Sequence, residues 1–103
     1  MRRYIEFEAL MASYFVAYFL YGKVKYGSKG YSEERLGRMS AYKSLMQVYQ
    51  PYLWQKERIK SEVILERFRY LEQKAEALPD DRFKRAFLET LAQAAPHHHL
   101  QEN

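Results

Sequence analysis

Residues 7–21, FEALMASYFVAYFLY, decide the fold. Glu8 is the only charged residue in the stretch, and Ala9 to Tyr21 carries none. Apolar side chains at 7, 10, 11, 14, 18 and 21 follow the helical repeat, while Phe15, Val16, Phe19 and Leu20 make the far side apolar too. Such a helix leaves no side for water, so it is expected at the centre of a bundle, covered by the rest of the chain. Ala9, Ser13 and Ala17 fall four apart, with Ala12 beside them, and a strip of small side chains lets backbones approach closely. In residues 32–50, Gly37, Ala41 and Ser44 also recur at helical spacing. A glycine inside a helix costs about 1 kcal/mol against alanine, which close packing offsets. These two helices are therefore expected to touch.

The first helix is expected from about Arg3 to Tyr21, with Glu6 and Glu8 at its positive end and Gly22 closing it in the left-handed conformation. Residues 22–32, GKVKYGSKGYS, read as a loop in which Lys23 to Tyr26 offer a short hairpin too small to stand alone. Ser32 before Glu33 and Glu34 is an N-cap with acids in the first turn, so a second helix starts there. Proline lacks an amide hydrogen and pushes the preceding residue out of helical geometry, so this helix is expected to break at Pro51.

Residues 51–78 then read as a third helix or as the far half of one kinked helix, and the pattern leaves both open. Gln55 to Glu62 is nearly all polar. Beyond it, apolar residues at 64, 68, 71, 75 and 78 form a seam of the kind that pairs helices. Asp80 is the expected N-cap of a fourth helix with a buried stripe of Phe83, Phe87, Leu91 and Ala94, closed by Pro96. The expectation is an all-α single domain over 1–96, with four helices near 3–21, 32–50, 52–78 and 81–95 and a flexible tail over 97–103.

Seventeen basic and thirteen acidic side chains leave a net charge of +4, unevenly spread. Residues 23–60 hold nine Lys or Arg against three Glu, whereas from 61 onward six bases face eight acids. The absence of cysteine excludes disulfides, thiolate metal sites and thiol nucleophiles, and suits a reducing, cytoplasmic setting. The uncharged run from Ala9 to Gly22 is shorter than the ~20 residues of a spanning helix, which argues against a membrane span. A flat, peripheral position at a lipid surface is kept as a minor reading.

Catalysis needs a nucleophile, base or metal held by neighbours, and its usual carriers are missing or misplaced. The only histidines, 97–99, lie in the tail. The carboxylate pairs Glu62–Glu66 and Glu72–Glu76 lack the accompanying histidines of helical di-iron sites. Gly27, Ser28 and Lys29 do not have the order or spacing of a phosphate loop. No cofactor and no enzymatic activity are expected.

A binding protein acting through protein contacts is the expected function, with Trp54, Ile59, Ile64, Phe68 and Leu71 as the candidate interface and a homodimer through that seam. The runner-up is nucleic-acid contact by a basic loop, with Lys23, Lys25, Tyr26, Lys29, Tyr31, Arg35 and Arg38 as candidates. Lysines would hold the phosphates and tyrosines would stack on bases.

Overall fold

The computed structural model describes residues 4–27, 30, 32–56 and 58–94. It is a small all-α bundle of four helices packed against one another. The elements in chain order are β1 (Tyr4–Ile5), α1 (Phe7–Gly27), α2 (Glu33–Leu53), β2 (Ile59–Lys60), α3 (Ser61–Glu76) and α4 (Arg82–Ala94). The two short strands pair antiparallel, Tyr4 with Lys60 and Ile5 with Ile59. The strand pair replaces the expected helical start at Arg3: Ile5 is buried, and the chain enters α1 only at Phe7.

Helix α1 runs six residues past its expected end. Gly22 does not close it; the glycine with positive φ is Gly30, at 84°. Leu10, Ala17 and Val24 recur every seven residues on one side, so continuing the helix keeps Val24 in the inward row and half-buried. That gain outweighs the modest cost of a glycine inside the helix. Lys23, Lys25 and Tyr26 therefore stand on the last turns of a helix, and the expected loop contracts to the residues after Gly27.

Helix α2 starts as expected, with the Ser32 hydroxyl accepting from the Arg35 amide at 3.3 Å. It does not break at Pro51 but runs two residues further, to Leu53. The missing amide would have bonded to the carbonyl of Gln47, and both residues sit on the exposed side, where that carbonyl is open to water. The chain turns after Leu53, with Lys56 in the left-handed region at φ 53°. The third helix accordingly starts at Ser61, not 52, and the polar segment from 55 lies mostly in this turn and in β2. A kinked rod over 32–78 is ruled out, since the longest dimension of the molecule is 40 Å.

Helix α4 is capped by Asp81, whose carboxylate accepts from the Lys84 amide at 3.0 Å. Asp80, the expected cap, instead faces Arg85 at 3.4 Å. Phe87 and Leu91 of the expected stripe are buried, with Phe83 and Ala94 packed against the core.

α2 packs against α1 and also against α4, and its Leu45, Val48 and Tyr49 join Leu10 and Ala17 of α1 in the core. α1 and α2 touch, as the small-residue strips suggest, but Gly37 serves a different neighbour. A β-carbon there would collide with the Phe83 carbonyl oxygen and lie 3.0 Å from the Ala86 β-carbon, so Gly37 is what lets α4 approach α2. The small strip of α1 is left beside an open groove. Full coverage of α1 is not achieved within one chain.

Candidate protein-interaction surface

Of the residues the sequence offered as an anion site, Lys23, Lys25, Tyr26 and Arg35 lie around the end of α1 and the start of α2, and Arg38 lines a different cleft. Lys23 and Lys25 are exposed on α1, with the Lys23 ammonium 5.6 Å from the centre of the Phe19 ring and that of Lys25 5.3 Å from the Tyr26 ring. Arg35 is occupied: its guanidinium donates to the carbonyls of Val24 at 3.3 Å, Lys25 at 2.8 Å and Gly30 at 3.3 Å. It thus satisfies the end of α1, whose last carbonyls have no helical partner. Arg38 points into another cleft, beside Arg82 and Arg85 of α4 and between Glu34 and Glu89. Lys29 and Tyr31 lie outside the described residues.

The candidate interface divides in the same way. Trp54 follows the end of α2 and is 82 % exposed. Ile59 is half-buried in the strand pair and Leu71 half-buried against the core. Ile64 and Phe68 are corrections, because both are buried, at 0 % and 2 % exposure, within their own chain. The seam of α3 closes on the bundle, so it offers these two side chains to no second molecule. The residues 97–99 and the rest of the expected tail fall outside the described residues.

A further surface lies on α1. Met11, Phe15, Val16, Tyr18 and Phe19 are all exposed, Phe15 at 55 % and Phe19 at 63 %. Beside this ridge runs a groove of about 360 Å³ between α1 and α4, floored by α2. One wall is the small strip Ala9, Ala12, Ser13 and Val16; Thr90, Gln93 and Ala94 form the other, with Tyr42, Leu45 and Tyr49 beneath.

The hydroxyls of Ser13 and Thr90 in the groove walls are turned to the protein. The Ser13 hydroxyl donates to the Ala9 carbonyl at 2.8 Å, and that of Thr90 to the Ala86 carbonyl at 2.8 Å. Burial pushes the Tyr49 phenol well above its ordinary pKa, an effect partly opposed by its hydrogen bond with Ser13. Tyr49 is therefore a neutral floor, and the groove is apolar in character. The sequence signal for this surface was the surplus of apolar residues on α1, more than one core-facing stripe needs.

Among the described residues no group of three His, Asp or Glu is placed to hold a metal, and no helix is long and apolar enough to cross a membrane. Compared with protein-family models, curated proteins and solved structures, the chain shows no significant match to any of them.

Proposed function

We propose that this chain is a non-catalytic helical binding protein that acts through protein–protein contacts on the outward face of α1. The observation that carries this reading is the set of exposed apolar side chains Met11, Phe15, Val16, Tyr18 and Phe19 on an uncharged stretch of helix, next to an apolar groove. Contiguous apolar patches of more than a few hundred Å² are rare on monomers and mark interaction surfaces. Aromatic residues are enriched in such surfaces, where rigid rings give large contact area at small entropic cost. A ridge beside a groove suits an apolar helix laid alongside.

The test is capture of partners by tagged chain, with Phe15→Glu/Phe19→Glu as the control. Both positions are exposed, so the double variant keeps its helicity. A protein retained by the wild type and lost with the variant supports the reading. Recovery of nucleic acid or lipid in place of protein, or a protein retained equally by both, overturns it.

A further inference from the structure

The outward face of α1 is complementary to itself when reversed. Glu8, Ala12, Phe15, Phe19 and Lys23 recur at spacings of four, three, four and four, so they share one side of the helix. All five are exposed. Glu8 stands at one end of this row and Lys23 at the other, and among the described residues neither forms an ion pair. Between them the face is wholly apolar, bulky at Phe15 and Phe19 and small at Ala12.

We propose that the occupant of this face is a second copy of the chain, with the two α1 helices antiparallel about a twofold axis passing between Phe15 and Val16. This rests on the reading of α1 as a protein-binding surface. In that register Glu8 faces Lys23 of the other copy at both ends, Ala12 lies opposite Phe19, and Phe15 lies opposite Val16. Each large side chain meets a smaller one, and each ridge enters the neighbouring groove. A twofold contact requires this reciprocity, residue i meeting j and j meeting i. A parallel arrangement would set Glu8 against Glu8 and Phe19 against Phe19. An anionic bilayer would attract Lys23 but repel Glu8 on the same face.

The area is of the right order. Phe15, Tyr18 and Phe19 are each more than half exposed, which leaves about 100 Å² of each ring to bury. With Met11, Ala12 and Val16 added, the patch approaches the ~600 Å² per partner at the lower end of stable interfaces. A dimer of moderate affinity is the expected product.

Sedimentation equilibrium of the full chain, from low micromolar to millimolar concentration, reads it directly. The wild type is expected to shift from monomer to dimer. Phe19→Glu is expected to weaken the dimer about a hundredfold, because a carboxylate is then buried at two symmetric places in the apolar part of the contact. That variant keeps its fold, since Phe19 is exposed and the new glutamate stands one turn before Lys23. Glu8→Lys and Lys23→Glu alone are each expected to weaken the dimer about tenfold, two like-charge contacts arising by symmetry, and the double exchange is expected to restore it.

A monomer mass at every concentration overturns the second copy as occupant and leaves a different protein to be found by the capture experiment. A dimer indifferent to Phe19→Glu overturns the proposed face, and one broken by Phe19→Glu but not rescued by the double exchange overturns the antiparallel register. Retention of a monomeric wild type, but not of Phe19→Glu, on phosphatidylserine vesicles gives the face to a bilayer instead.

Discussion

The Arg35 guanidinium, on the first turn of α2, donates to the Lys25 carbonyl at 2.8 Å and so fastens the end of one helix to the beginning of the next. The same group also reaches the carbonyls of Val24 and Gly30, each at 3.3 Å. Arg35→Ala is expected to lower stability by about 1–2 kcal/mol in urea denaturation, with faster amide exchange in the last turn of α1. Arg35→Lys should rescue little of it, because an ammonium lacks the planar fork that serves several carbonyls together. Any anion binding lost in an Arg35 variant would therefore report the loosened cap; Lys23 and Lys25 are the clean positions for that test.

Gly37 and Gly22, both inside helices, are expected to respond with opposite signs. At Gly37 an added methyl meets the Phe83 carbonyl, so Gly37→Ala should destabilise the bundle by about 1–3 kcal/mol by forcing α4 from α2. At Gly22 an added β-carbon has nothing within 4 Å and the backbone is helical, so Gly22→Ala should stabilise by about 0.5–1 kcal/mol. Thermal unfolding of the two variants side by side checks both signs.

Tyr49 makes the bundle sensitive to alkali. Its folded pKa is raised above the unfolded value, so this contribution to stability is fully present below the ordinary tyrosine pKa of about 10. It is lost progressively as pH rises from there toward the folded pKa, because the unfolded chain ionises first. Through this group, denaturation midpoints should be insensitive to pH near neutrality and fall above about pH 10. Tyr49→Phe should reduce that alkaline slope while costing about 1 kcal/mol at neutral pH through the lost hydrogen bond with Ser13.

Phe68 and Phe19 separate the core from the proposed surface. Phe68 is 2 % exposed, and Phe68→Ala is expected to cost about 3–5 kcal/mol through lost burial and the cavity left behind. Phe19 is 63 % exposed, and Phe19→Ala should change the stability of the monomer by no more than about 0.5 kcal/mol. Chemical denaturation at low protein concentration, where self-association does not contribute, measures both.

The sequence by itself determined the helices and much of the core. Periodicity placed Leu10, Phe87 and Leu91 on inward faces, and Ser32 marked a helix start, because spacing and capping act over a single turn. Local rules misjudged Gly22 and Pro51: Pro51 is exposed, a helical glycine costs only about 1 kcal/mol, and the helix around each remains packed. Only the tertiary structure decided which apolar residues would be left outside. The seam of α3 and the outer ridge of α1 read alike as rows of apolar side chains, yet Ile64 and Phe68 closed on the bundle while Phe15 and Phe19 stayed in water. The reason is the finite number of partners: α2 covers one side of α1, α4 spends its close approach on Gly37, and no described element remains to cover the rest.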